Sequence, residues 1–437
     1  MALQNRTGRI AQSSCLMSEA KREVLSLDGD SKSGANPAGN GLQSRFFGCL
    51  VGAAIGDALG APVEGLSQAA IREDPLFAEE GVRVMISQKD MKSWKDIAKS
   101  MACTVDELGA TRPSGSYTDD TCLMIATARA LISSGKRDQN GKSGAASPSC
   151  ETFGRALAET YAEIEKSSMK GLRGFGSGTE KILKALLEGR VTPSKSGTFL
   201  RKDGSNRNGG AMRIAPIGLV YRNAKLASLR HIVKEACWPT HVHAEGIDGA
   251  LAVAYVVSRC ISAKSPADFL QTQSEEGLLR ELNSKVCVTD ALRRRFKALE
   301  ESWKSVSKHQ CFRWKDSEAE YDIKITTKIR DDPKDWVQIK ASDAAAVAIW
   351  MFLRHGIMLD DKYGAVINEQ SLNPTEALVR TISLGGDTDT LACIVGSMIG
   401  ALHGPSIFPK KWLNDLERGT ELGSNLFEEI AKKLVEL

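Results

Sequence analysis

The sequence predicts an all-α fold. Long alanine- and leucine-rich segments with helical spacing recur from Arg45 to the C-terminal region, and two of them carry a glycine at every fourth position. Alternation with period two, which is typical of strands, occurs only briefly, at positions 82–86 and 321–329. We therefore expect a single helical bundle with at most a short strand pair as decoration.

The charge and the cysteine content of the chain exclude several classes of protein. Its 437 residues include 58 basic and 54 acidic side chains, and the net charge of +4 is too small for a nucleic-acid surface or a membrane-binding face. The ten cysteines form no C-x-x-C pair, so we expect reduced thiols in a cytosol rather than a zinc site. These features favour a cytoplasmic protein with a small polar ligand and without a nucleic-acid or membrane partner.

The chain divides into an N-terminal arm and one large domain. Residues 1–43 are rich in Ser, Gly and Asn and have no apolar period, which predicts a flexible arm. Such a terminus is usually disordered, but it could instead become ordered against a partner. Residues 44–437 form the predicted domain. Its charged stretch at about 262–340 carries none of the motifs below, and we interpret it as an insertion or a capping subregion.

The glycine rows predict close helix packing. Each glycine inside a helix costs about 0.5–1 kcal/mol relative to alanine, so a row of them needs a compensating contact, such as the close approach of another backbone. We expect the two helices to pack tightly, and they could pack against each other. A membrane dimer is disfavoured because both runs are too short and the first contains Asp57. The rows are Gly48, Gly52, Gly56 and Gly60 in the first helix and Gly396, Gly400 and Gly404 in the second.

Two acidic clusters, at positions 118–121 and 387–390, stand immediately before apolar helices. One such cluster alone would usually be a helix cap, because Asp and Thr side chains satisfy the free amides at a helix start. Four carboxylates brought together would repel each other unless cations lay among them, and oxygen ligands favour Mg²⁺, Mn²⁺ or Ca²⁺ over zinc. We predict that the two clusters meet and form a two-metal cage.

A glycine-rich loop at positions 204–213 precedes a predicted helix. Backbone amides at such a loop can hold a phosphate, although most glycine-rich turns before helices bind nothing. Beside a metal site, the loop indicates a pyrophosphate pocket. Further along the chain, His241 could contact a ribose and His243 could be structural, since a histidine pair in a loop is more often not a ligand.

Five ordered motifs together resemble the ADP-ribosylglycohydrolase family: GCLVGAAIGDALGAPVEG, SYTDDT, NGGAMRIAP, THVHAEGIDGA and SLGGDTDTLACIVGSMIGALHG. The resemblance runs from about 44 to 261 and from 337 to about 415. It implies a single orthogonal helical bundle with two Mg²⁺ ions, Mn²⁺ being possible. It also implies hydrolysis of the bond between ADP-ribose and a protein side chain, most often arginine.

The resemblance also implies roles for individual residues. Our hypothesis for the chemistry is that two metal ions lower the pKa of a bound water and that Asp119, Asp120 or Asp387 accepts its proton. Glu64 would orient the substrate or handle a proton at the leaving group, beside the scissile ribose. The implied metal ligands are Thr118, Asp119, Asp120, Asp387, Asp389 and Thr390, and the implied substrate contacts are Asn208, Gly209, Gly210, Ala211, Met212 and His241.

Three alternatives to a plain hydrolase remain at this point. The long arm resembles extensions of immunity proteins, so residues 1–43 could block the active site of an ADP-ribosyltransferase toxin, in addition to hydrolysis of an ADP-ribosylated protein substrate. A structural relative similar to the family's lens-crystallin members is disfavoured by the complete acidic clusters. A metal-dependent phosphohydrolase of another fold is disfavoured by the order of the motifs.

Overall fold

The computed structural model describes residues 38–73, 115–135, 147–272, 274–304, 316–330, 337–357, 374–420 and 422–437. Within these ranges the predicted all-α fold is confirmed. They contain no strand, and two isolated backbone bridges, between Ser67 and Gly385 and between Arg207 and Lys340, are their only β pairings. The alternation at 82–86 lies outside the described residues.

The described residues form eighteen α-helices. In chain order they are α1 (Ala38–Gly60), α2 (Gln68–Glu73), α3 (Asp119–Ser134), α4 (Cys150–Lys166), α5 (Ser177–Leu187), α6 (Pro193–Ser196), α7 (Ala215–Val220), α8 (Leu226–Cys237), α9 (Ala244–Ser262), α10 (Pro266–Thr272), α11 (Glu275–Glu281), α12 (Asp290–Trp303), α13 (Asp316–Lys328), α14 (Ala341–His355), α15 (Glu376–Ile382), α16 (Thr388–His403), α17 (Lys410–Asp415) and α18 (Leu426–Val435). Short 3₁₀ turns lie at Ala61–Val63, Asn208–Gly210 and Pro405–Ile407, and a π-helical turn lies at Leu282–Val286.

The centre of the core is formed by helices that are buried on every side. All residues of α14 are buried, and so are those of α16 from Thr388 to Leu402. A helix without an exposed face is enclosed by other elements, and here α9 packs against both α14 and α16. The start of α16, which carries one acidic cluster, therefore lies inside the bundle rather than on its surface.

The two glycine rows face each other, as the sequence suggested. A Cβ atom added to Gly48 would lie 2.6 Å from the carbonyl oxygen of Gly400, and one added to Gly52 would overlap the backbone of Gly396. This pairing is antiparallel, so the C-terminal end of α1 lies beside the N-terminal end of α16. A Cβ added to Gly60 would lie 2.5 Å from the amide nitrogen of Asp389. The packing thereby brings the first motif to the second acidic cluster.

Substitution of Gly56 by alanine should test this close packing. The added methyl group would overlap the backbone of Ala392 in α16, and we expect a loss of about 1–3 kcal/mol in the free energy of unfolding. Gly41, in the same helix, has nothing within 4 Å of an added Cβ, so Gly41→Ala should instead gain about 0.5–1 kcal/mol. Denaturant unfolding of both variants measures the difference. Equal effects would contradict the packing.

The alternation at 321–329 does not form a strand, because these residues lie in α13 and the turn after it. The buried side chains are Asp322, Ile325, Thr326 and Ile329, whose spacing of three, four and seven is that of one helix face. Since one of them is a carboxylate, the apolar pattern of the face was hidden. The carboxylate of Asp322 is buried because it accepts hydrogen bonds from Trp350 Nε1 at 3.0 Å and Arg354 Nε at 3.2 Å.

The stretch at about 262–340 shares the main hydrophobic core. Leu278 and Phe296 from its helices are fully buried in the same core as α9 and α14. A buried ion pair between Arg295 Nε and Asp343 Oδ1, at 2.7 Å, joins α12 to α14. Its origin as an insertion stays a prediction.

Residues from Leu42 to Leu437 form one compact unit. Because α1 begins at Ala38, the last residues of the predicted arm 1–43 are helical. Residues 1–37 lie outside the described residues, so the proposed docking of the arm to a toxin stays a prediction.

One helix of the described ranges has the composition of a membrane span. The segment Gly41–Val63 is long enough, with a mean hydropathy of 1.6, so the expectation that this run is too short was wrong. The helices α9 and α10 pass the same test together, but they are bent by 117°. In the folded chain 83% of an 18-residue apolar window in the first segment is buried, as expected for a core helix.

Candidate metal centre and ligand site

A buried aspartate from α1 holds the start of α3. The hydroxyl oxygen of Thr118 caps the helix by accepting a hydrogen bond from the amide of Asp120 at 3.3 Å. Asp57 Oδ1 accepts one from the amide of Thr118 at 2.8 Å, and its Oδ2 accepts from the amide and the hydroxyl of Thr121 at 3.0 and 2.6 Å. This role of Asp57 was not predicted from the sequence. Its only signal was a carboxylate in the middle of an apolar helix.

A buried ion pair supports the same turn from the other side. The carbonyl of Arg173 accepts a hydrogen bond from the amide of Asp119 at 2.7 Å. The guanidinium of Arg173 donates to the carbonyl of Tyr117 at 2.7 Å and to both carboxylate oxygens of Glu417 at 2.7 and 2.5 Å. The two charged side chains are only 2% and 7% exposed. A residue from the C-terminal region therefore helps to place the first acidic cluster.

The second acidic cluster begins α16 and is joined to the loop after α1. The amide of Asp387 donates to the carbonyl of Val337 at 2.9 Å, and Asn208 Nδ2 donates to Asp387 Oδ2 at 2.5 Å. Gly386, with a φ of +88°, takes a left-handed conformation that favours glycine. Its amide and carbonyl pair with the carbonyl of Leu66 and the amide of Gly65 at 2.9 and 2.8 Å. This pairing places Glu64 beside the cluster.

The structure brings carboxylates from distant parts of the chain together. Oxygen atoms of Glu64, Asp387 and Asp389 all lie within 4.8 Å of one another, which is a possible metal-binding group. The charges of Asp389 and Asp387 also act on Asp120, so the two acidic turns face a common centre. The sequence had placed Glu64 beside the substrate only. Here it is close enough to Asp387 and Asp389 to act as a ligand as well.

The electrostatics of this centre favour a bound cation. Burial, followed by the charge of Asp389, raises the pKa of Asp120 and of Asp387 well above the usual range for aspartate. The same two causes raise the pKa of Asp57 to about 6. Such a cluster must either take up protons or bind a positive ion. Asp120 Oδ1 is buried and has no hydrogen-bond partner among the described residues, so the oxygen-only donor set fits a divalent cation.

The predicted phosphate loop forms a buried 3₁₀ turn next to this centre, and α7 follows only at Ala215. The amides of Ala211 and Met212 donate to the carbonyl of Asn208 at 2.7 and 3.0 Å, while the side chain of Asn208 binds Asp387. A Cβ added to Gly209 would lie 2.9 Å from Nε2 of His241. The turn therefore lies between the acidic centre and this histidine.

His241 is buried and neutral. Its Nδ1 lies 2.8 Å from the hydroxyl of Thr240. Burial, followed by the charges of Arg213 and Arg207, lowers the pKa of His241 to about 3. His243 has the structural role that the sequence suggested, because its Nδ1 accepts a hydrogen bond from the amide of Glu245 at 3.2 Å and caps α9.

An all-α bundle that gathers carboxylates from distant turns beside a glycine-rich ligand turn has the features of a helical hydrolase with an acidic centre. The chain belongs to the ADP-ribosylglycohydrolase family, whose model matches residues 38–437. The resemblance predicted from the five motifs is thereby confirmed, and the protein is a glycohydrolase.

The relatives agree with this assignment. The chain is 27% identical to the ADP-ribosylhydrolase ARH3 of Homo sapiens over 86% of its own length and 89% of the relative. It is 26% identical to the same enzyme of Gallus gallus, with the same coverage. An uncharacterized protein of Archaeoglobus fulgidus is 26% identical over 91% of this chain and 97% of that protein.

A solved structure supports the fold. The ADP-ribosylglycohydrolase-related protein complex superposes with a TM-score of 0.53 and 20% identity, covering 90% of this chain and 98% of the other. At that identity the likeness concerns the fold, and the family assignment depends on the sequence match.

Proposed function

We propose that the protein uses two Mg²⁺ ions, or Mn²⁺ in their place, to release ADP-ribose from a modified protein side chain, with arginine as the acceptor. The observation that carries the proposal is the convergence of Glu64, Asp387 and Asp389 within 4.8 Å. Membership of the ADP-ribosylglycohydrolase family supports an ADP-ribosyl group as part of the substrate. The carboxylate cluster supports the requirement for a divalent cation.

The residues available to hold the cations come from three places. Glu64 follows α1, and two further sets begin α3 and α16. A divalent cation bound there supplies a water of lowered pKa and a means of orienting ribose hydroxyls. The proposed ligands are Thr118, Asp119, Asp120, Asp387, Asp389 and Thr390, joined by Glu64.

The remaining chemistry falls to side chains of the chain itself. Hydrolysis at the anomeric carbon passes through a cation-like transition state, which neighbouring carboxylates stabilise. Glu64 is exposed, whereas Asp387 and Asp389 are buried, so Glu64 is the member of this group that the substrate can reach directly. We assign to Glu64 the orientation of the ribose or proton transfer at the leaving group. Asp119, Asp120 or Asp387 accepts the proton of the attacking water.

The substrate is expected to lie along the buried turn. The turn Asn208–Gly210 lies between the acidic centre and His241. A pyrophosphate beside this turn would place the distal ribose near Glu64. A ligand with a charged diphosphate and an accessible ribose fits this arrangement, and an ADP-ribosylated protein offers both.

Side-by-side hydrolysis assays test the proposal. Proteins that carry ADP-ribose on arginine or on serine are incubated with the enzyme and Mg²⁺, and free ADP-ribose is measured. We expect release from the arginine-linked protein, none after chelation, and recovery when Mg²⁺ or Mn²⁺ is restored. Release that survives complete chelation would contradict the metal requirement. Release from the serine-linked protein alone would contradict the acceptor.

A further inference from the structure

Arg213 carries a buried charge that no carboxylate contacts. It lies three residues after the buried turn Asn208–Gly210, which we call the ligand turn. Its side chain is fully buried and has no ion pair among the described residues, although the charge of Asp119 acts on it from further away. Its Nη2 donates to the hydroxyl of Thr240 at 2.7 Å and to the carbonyl of Ala236 at 3.2 Å, while its Nε and Nη1 have no partner in the described part of the chain. A buried guanidinium with so few partners is costly, so its position needs a reason.

The hydrogen bonds beyond Arg213 favour one direction. A guanidinium can only donate, so the oxygen of Thr240 accepts from Arg213. The single hydrogen of the Thr240 hydroxyl is then available for Nδ1 of His241, 2.8 Å away. If Nδ1 donated instead, the oxygen of Thr240 would accept twice and its buried hydroxyl hydrogen would have no acceptor among the described residues. Nδ1 is therefore assigned as the acceptor, and the one proton of a neutral imidazole lies on Nε2.

The nitrogen that carries this proton points to the ligand turn. Nε2 of His241 lies 2.9 Å from the position that a Cβ of Gly209 would occupy, and no described residue accepts a hydrogen bond from it. Only a glycine leaves room for the ring here. The N–H group is therefore available to a ligand that lies along the turn.

We propose that Arg213 is a positioning residue that acts through the Thr240 hydroxyl to hold His241 in the Nε2-protonated tautomer, as a hydrogen-bond donor to an oxygen of the ADP-ribosyl group. The identity of the ligand rests on the proposed function, whereas the tautomer does not. The relay explains why a buried positive charge follows the ligand turn. It also makes the site selective for a ligand that offers an acceptor oxygen at this place.

The tautomer is measured directly in the full-length protein without substrate. Two-bond ¹H–¹⁵N correlation spectra of histidine-labelled protein distinguish the two neutral forms, and His241→Gln identifies the signal among six histidines. His403 serves as an internal reference, because its Nε2 donates to the carbonyl of Gly356 at 2.9 Å. We expect wild-type His241 to show the same Nε2-protonated pattern. A wild-type signal with the proton on Nδ1 would overturn the proposal.

A matched pair of variants tests the relay. Thr240→Val removes the hydroxyl and keeps the shape, so His241 should become a mixture of tautomers and the Kd for ADP-ribose should rise by up to about tenfold. Thr240→Ser keeps the hydroxyl and should retain both the tautomer and the affinity, and His403 should be unchanged in both variants. Equal ADP-ribose affinity in the two variants, or an unchanged tautomer in Thr240→Val, would overturn the relay. Absence of hydrolysis with the expected tautomer would contradict the proposed function alone.

Discussion

Asp389→Asn is expected to abolish Mg²⁺ binding and to lower kcat/KM for the release of ADP-ribose by more than about 100-fold. Loss of a residue that only supports a metal ligand already costs 10–100-fold, and Asp389 belongs to the carboxylate group itself. Asparagine keeps the size of the side chain while removing its charge. Calorimetric titration with Mg²⁺ and an assay of released ADP-ribose measure the two effects.

The stability of the metal-free Asp389→Asn variant should not decrease, although its Mg²⁺ binding and its activity should. The charge of Asp389 contributes to the raised pKa values of Asp57, Asp120 and Asp387, so its removal relieves repulsion in the metal-free protein. We therefore expect the metal-free variant to unfold at a temperature no lower than that of the wild type, but without the rise in unfolding temperature that we expect Mg²⁺ to give the wild type.

A second aspartate provides the control for Asp389→Asn. Asp248 is also buried, but it accepts hydrogen bonds from the amides of Val288 and Thr289, on the α12 side of the bundle. Asp248→Asn should lower stability and leave Mg²⁺ binding intact. Retained Mg²⁺ binding in Asp389→Asn would show that the cluster is not the metal site.

The sequence reveals features that depend on local spacing. Gly48, Gly52 and Gly56 indicate close packing because a repeat of four residues places them on one face of a helix, and the structure supplies only the identity of the partner helix. The acidic clusters are recognised in the same way, as caps too rich in charge to be caps alone. In each case the signal and its cause lie within a few residues of each other.

Contacts between distant parts of the chain leave no comparable signal. Asp57 and Thr118 are 61 residues apart, and Arg173 and Glu417 are 244 residues apart. Asp322 shows how such a contact can mislead, because its partners Trp350 and Arg354 are needed to explain a carboxylate on a buried helix face. Residues that position the site are thus harder to predict from one sequence than the ligands that they position.

The Arg173–Glu417 pair allows this positioning role to be measured. Glu417→Ala leaves the guanidinium buried without its carboxylate, and we expect a loss of about 3–5 kcal/mol in the free energy of unfolding. Arg173 also forms hydrogen bonds with the backbone of Tyr117 and Asp119, so the first acidic turn should be displaced in this variant. The Kd for Mg²⁺ should consequently rise about 10–100-fold. Denaturant unfolding and Mg²⁺ titration of the folded protein measure the two effects.

A second buried ion pair separates loss of stability from loss of position. Arg295 and Asp343 are each 2% exposed and are joined at 2.7 Å, and this pair connects α12 to α14, whereas the Arg173–Glu417 pair supports the start of α3. Asp343→Ala should therefore cost a similar free energy of unfolding while the Kd for Mg²⁺ stays unchanged. If both variants weakened Mg²⁺ binding equally, the effect of Glu417→Ala would be one of general stability. If only Glu417→Ala weakened it, a C-terminal residue would determine the affinity of a centre whose ligands begin α3 and α16.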